Sequence, residues 1–141
     1  MNIMQEDVSL IKMRKRFTKI IRAVFGLTKK QMQVFNQMRE CANRETCVMN
    51  IVHLMESERS IIQKYLKILM KKKLISRRSV TLSEFTERCQ KNNREDIIPS
   101  TNKGYLYLYT PISDEELFDR IKQKTKNWIK EVKSYCENFN F

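Results

Sequence analysis

The sequence predicts a mainly α fold with a small β-ribbon, an α+β chain, and three observations carry that reading. Apolar residues recur at alternating steps of three and four along several long segments, the signature of one buried helix face. Two helix starts, at Thr28 and Ser113, carry Gln or Glu three residues on, which is the reciprocal capping pattern. Strand character is confined to two short segments, 74–80 and 105–110.

The elements follow in order. Leu10, Met13, Phe17, Ile20 and Val24 step by 3, 4, 3, 4 and place a heptad seam on a helix over 9–25. Gly26 can close it in the left-handed conformation. A second helix starts at the capping box Thr28-Lys29-Lys30-Gln31, with Gln31, Val34, Phe35, Met38 and Cys41 inward. A break at Asn43-Arg44-Glu45-Thr46 precedes a short helix from Val48 to Met55. Ser57 is expected to cap the next helix, which runs to about Lys72 and turns Ile62, Leu66 and Leu69 inward. Leu74 to Val80 and Tyr105 to Thr110 form the ribbon, and Pro111 ends it. Ser113-Asp114-Glu115-Glu116 starts a last helix to about Cys136, and acid in its first turn suits the helix dipole. Its seam is Phe118, Ile121, Thr125, Trp128, Val132, Tyr135 and Phe139.

Length and composition bound the chemistry. The 141 residues suit one small domain with helical extensions, and 41% hydrophobic with 31% charged content is that of a folded chain. Two Gly leave no room for a phosphate-cradling loop. A single His, His53, leaves a catalytic triad poorly supplied and excludes His-rich zinc sites. No apolar run is long enough to cross a bilayer, and the first 25 residues do not read as a secretory signal. A cytoplasmic protein with no membrane partner is expected.

Charge points to a partner. With 28 Lys+Arg against 16 Asp+Glu the net charge is +12. Self-repulsion of that size works against compaction and suggests a polyanion. Arg59, Lys64, Lys67, Lys71, Lys72, Lys73, Arg77 and Arg78 follow one another with no acid between them. Lys12, Arg14, Lys15, Arg16, Lys19 and Arg22 form a second cluster. The bland alternative for either run is a solvated helix face.

The order helix, short helix, turn, helix, strand, loop, strand is that of a winged helix-turn-helix. The run from Glu58 through Arg59-Ser60-Ile61-Ile62-Gln63-Lys64 to Leu74-Ile75 resembles the recognition helix and following strand of MarR- and TrmB-like transcriptional regulators. Leu27-Thr28 matches the start of their first core helix, and Gly104 to Tyr109 is similar to the second wing strand of archaeal members. The resemblance covers roughly residues 26–138. It departs from the pattern at Lys73, where Gly is usual, and in the long wing loop, about Thr81 to Lys103.

The resemblance implies a winged helix-turn-helix domain over 26–112, flanked by dimerising helices in 1–25 and 113–141. It implies a homodimer that binds double-stranded DNA at a palindromic site as a transcriptional regulator. The helical spacing independently sets Arg59, Ser60, Ile61, Gln63, Lys64 and Lys67 outward. Arg59 can address a guanine edge, Gln63 an adenine, and Ile61 a thymine methyl, although Ile61 also reads as core. Lys64, Lys67 and Ser57 suit phosphates. Strand alternation sends Arg77 and Arg78 to opposite faces, one toward the DNA backbone or minor groove. Leu10, Phe17, Ile20, Phe118, Ile121, Trp128, Val132 and Tyr135 are the dimerisation candidates.

No catalytic residue, metal site or cofactor is expected. The four cysteines, Cys41, Cys47, Cys89 and Cys136, lack a Cys-x-x-Cys spacing and read as structural thiols. Nothing implies or excludes a small-molecule effector. Three alternatives remain: a winged-helix protein-interaction module of a transcription or replication assembly, a nuclease, and an RNA binder stacking bases on Tyr105, Tyr107 and Tyr109.

Overall fold

The computed structural model describes residues 3–41, 44–84 and 105–139. They form a mostly helical α+β structure with elements α1 (Ile3–Phe25), α2 (Lys29–Glu40), α3 (Val48–Met55), α4 (Arg59–Lys71), β1 (Ile75–Thr81), β2 (Tyr105–Pro111) and α5 (Asp114–Phe139). The chain divides into two compact units, residues 1–32 with 113–141, and residues 33–112. No described helix is long and apolar enough to cross a membrane.

In the first unit α1 packs on α5. α1 begins at Ile3, six residues before the expected start, because a nucleated helix propagates past its apolar stripe. Gly26 closes it at φ 65°, and the Leu27 amide donates back to the Arg22 carbonyl at 3.0 Å. The Thr28 box forms in both directions: Thr28 N–H donates to Gln31 Oε1 at 3.0 Å, and Gln31 N–H to Thr28 Oγ1 at 3.2 Å. At α5 only half of the second box forms. Glu116 N–H donates to Ser113 Oγ at 3.1 Å, while the Glu116 carboxylate instead takes Arg120 Nη2 at 2.7 Å. Ile21, Val24, Phe25, Leu27, Met32 and Leu117 are buried here.

In the second unit α3 packs on α4 and on β2, and α4 on β1. The strands are antiparallel, with Arg77 opposite Tyr109 and Arg78 opposite Leu108. Thr46 adds a bridge to the free edge of β2, exchanging both backbone bonds with Tyr109 at 3.0 and 2.8 Å. Ile62, Leu66 and Leu69 are wholly buried, as the spacing requires, together with Val34, Phe35, Met38, Ile51 and Leu74. Cys47, Val80 and Leu108 form a satellite cluster under the ribbon. Asn50 lies buried beside Thr46 and donates from Nδ2 to its hydroxyl at 2.7 Å, tying α3 to the bridge.

Three details correct or complete the sequence reading. Ser57 does not cap α4: Glu58 holds the N-cap position, with no side-chain cap bond. Ser57 belongs to the turn that closes α3, its amide donating to the Val52 carbonyl at 3.2 Å behind Glu56 at φ 49°, and the extended residue that precedes α4 is Glu58. Lys73 does take the left-handed conformation, at φ 61°. Most of the long wing loop, Cys89 included, lies outside the described residues.

Candidate nucleic-acid interface

α4 is built as a helix with two different sides. Ile62, Leu66 and Leu69 sink one stripe into the core, and Arg59, Ser60, Ile61, Gln63, Lys64 and Lys67 are all exposed. Ile61 is 39% exposed, so it belongs to the surface and not to the core. Lys71 extends the exposed face one turn beyond Lys67. No acid interrupts α4 after Glu58, so the face is cationic along its whole length. Ser57 lies half-buried before the helix.

The two ribbon arginines go to opposite faces. Arg78 is held by the Glu45 carboxylate through two parallel bonds along one guanidinium edge, Nε to Oε1 at 2.8 Å and Nη2 to Oε2 at 3.1 Å. That hydrogen bond holds the Arg78 pKa above its ordinary value; desolvation opposes the shift, and the carboxylate charges of Glu45 and Glu84 assist it. Arg77 lies over the Tyr107 ring, its guanidinium carbon 4.1 Å from the centroid. Between helix and ribbon runs an open groove. Gln63, Lys67, Met70 and Lys71 form one wall, and Arg77, Tyr107 and Tyr109 the other.

Of the residues singled out from sequence, Gln63, Lys67 and Arg77 are brought together in this groove. Arg59, Ser60, Ile61 and Lys64 share the exposed helix surface but do not line it. Sequence reasoning reads Lys71 only as part of the basic run and Tyr107 only as a stacking candidate for RNA, and places neither in this groove. Lys71 was readable, lying four residues after Lys67. Tyr107 was not, because its neighbours depend on a register set across a long loop.

No family model matches the chain. Over 132 residues it is 26% identical to an uncharacterized protein of Methanocaldococcus jannaschii, and the match covers 92% of each chain. Among solved structures it is similar to a possible transcriptional regulator from Methanosarcina mazei Go1, with a TM-score of 0.66 over 87% of this chain and 88% of that one. At 15% identity that likeness is one of backbone architecture, and the side chains of the interface are this chain's own. Both comparison proteins come from archaea.

In the first unit, Leu10, Phe17, Ile20, Phe118, Trp128, Val132 and Tyr135 are all exposed, and Ile121 is half-buried. Trp128 is 42% exposed, a large area for the one tryptophan of the chain. Among the described residues no group of three or more His, Cys, Asp or Glu is arranged to hold a metal ion. Cys41, Cys47 and Cys136 form no disulfide, and the Cys41 thiol donates to the Gln37 carbonyl at 3.1 Å. His53 is exposed on α3.

Proposed function

We propose that this chain is a double-stranded DNA-binding transcriptional regulator of the MarR/TrmB-like winged-helix type, acting as a cytoplasmic homodimer without catalytic chemistry. The observation that carries the reading is α4: one stripe fully buried, the other exposed, basic and free of acid from Arg59 onward. A helix of that kind can lie in the major groove with its apolar side against its own domain. Arg59 donates two hydrogen bonds to a guanine edge, Gln63 makes the paired bonds to adenine, and Ile61 meets a thymine methyl. Each such contact discriminates by about 1–3 kcal/mol. Ser57, Ser60, Lys64 and Lys67 take phosphates, joined from the ribbon by Arg77; Arg78, on the other face and held by Glu45, is left out. The exposed apolar stripe of α1 and α5 supports the homodimer. Two copies present two recognition helices about 34 Å apart, one turn of DNA, and so select a palindrome.

Selection of binding sites from random duplexes tests this directly. A palindromic consensus is expected. Arg59→Ala combined with Gln63→Ala lowers preference for that site while leaving affinity for unrelated DNA largely intact. Equal loss on both duplexes rejects base readout by these residues. A selection that returns no consensus assigns the surface to a protein partner.

A further inference from the structure

The groove between α4 and the ribbon carries its own charge pattern. Lys67 and Lys71 stand on the helix wall and Arg77 on the strand wall, and no acid is among the lining residues. The base of the groove is different: Tyr109 is buried and Met70 half-buried, which makes it apolar. Cationic rims over an apolar floor fit a chain whose charges lie along its edge and whose sugars are weakly polar. We propose that one strand of the duplex's sugar–phosphate backbone runs through this groove, its phosphates held by Lys67, Lys71 and Arg77, with Tyr107 aiming Arg77. The proposal rests on the DNA-binding reading above and adds Lys71 and Tyr107 to the residues that serve it.

Arg77 decides the strand's path. Its guanidinium carbon lies 4.1 Å from the Tyr107 ring centroid, so its position is held by its own ribbon. A guanidinium pinned by one face keeps its N–H fork free at the edge, and that fork matches two phosphate oxygens. Leaving the ring to enter a minor groove forfeits the stacking. Tyr107 is therefore a positioning residue: it acts through Arg77 and touches no phosphate itself. The three cations carry no base information, so the groove sets where the duplex lies while the exposed face of α4 reads it.

The test uses the full chain, a selected site and an unrelated duplex of equal length, with affinity measured against salt. Lys71→Ala and Arg77→Ala are each expected to weaken both duplexes by the same factor. Each should also flatten the log–log salt dependence by about 0.9. Tyr107→Leu weakens both duplexes in the parent chain and has no further effect in the Arg77→Ala background. All these side chains are exposed, and matched thermal melts verify folding. Arg77→Lys offers a second route: the salt slope stays and Tyr107→Leu loses most of its effect. The groove is rejected if Lys71→Ala and Arg77→Ala leave slope and affinity unchanged while the Arg59/Gln63 pair still abolishes site preference. It is rejected also if the loss in Arg77→Ala tracks the A·T content of the flanks, the mark of minor-groove insertion. A parent chain that binds neither duplex overturns the DNA-binding reading itself.

Discussion

Gly26, Glu56 and Lys73 do the same work at the ends of three helices, at φ 65°, 49° and 61°. In each case the next residue donates its amide to the carbonyl five positions back: Leu27 to Arg22, Ser57 to Val52, Leu74 to Leu69. This closure satisfies carbonyls that the helix end leaves open. Only Gly adopts it without a clash between Cβ and the carbonyl, which costs other residues roughly 1–2 kcal/mol. Part of that is offset, because Gly is freer in the unfolded chain by about 0.4–1 kcal/mol. Glu56→Gly is therefore expected to stabilise the protein by about 0.5–1 kcal/mol, read as a melting temperature a few degrees higher. A melting temperature at or below that of the parent rejects the strain at Glu56. Asn50 shows the opposite case of a residue tightly served by its site. Buried and bonded to the Thr46 hydroxyl, it is expected to cost about 1–3 kcal/mol when replaced by Ala, measured by urea unfolding.

Among the elements, α4 has the most asymmetric surface, and its inner face is what presents the outer one. Leu66 is 1% exposed, and Leu66→Ala should cost about 2–5 kcal/mol by chemical denaturation. The exposed contacts of α4 should show no such cost, so loss of DNA binding and loss of fold separate along one helix. Much of this was legible because the signals are local. The limits of α3 at Val48 and Met55, the buried trio of α4 and the Thr28 box all follow from spacings within a few residues. What was not legible depended on competition or on distance. Ser57 reads as a cap for α4, but the turn that closes α3 includes it and moves the N-cap position one residue on, to Glu58. Met32, 1% exposed, falls off the simple stripe of α2, whose buried arc is wider than the three–four spacing marks. The Arg77–Tyr107 stack and the groove beside it join residues separated by the loop, and no pattern within a strand reveals which residues a register brings opposite. Arg77 and Arg78 are neighbours in sequence, yet one stacks on a tyrosine and the other is clamped by Glu45, a difference set entirely by strand alternation.

At the scale of the whole molecule two forces act on any pairing of copies. The exposed stripe on α1 and α5, including Phe17 at 38%, Trp128 at 42% and Val132 at 62%, leaves large apolar side chains in water, and their burial favours association. Against it stands a net charge of +12 on each copy, so bringing two together repels. Trp128→Glu adds a desolvated carboxylate at the stripe and is expected to shift the sedimenting mass from dimer to monomer while weakening binding to the selected palindrome; an unchanged mass places the contact elsewhere. Salt separates the two forces. Screening weakens the repulsion between copies, whose Debye length falls from about 10 Å at 0.1 M to about 3 Å at 1 M, and leaves apolar burial in place. The same salt weakens DNA binding by displacing the advantage of counterion release. Dimerisation is therefore expected to strengthen with ionic strength while affinity for duplex DNA falls, the two curves crossing in opposite senses in one titration followed by sedimentation and by DNA anisotropy. Dimers that dissociate as salt rises mean that ion pairs, and not the apolar stripe, hold the copies together.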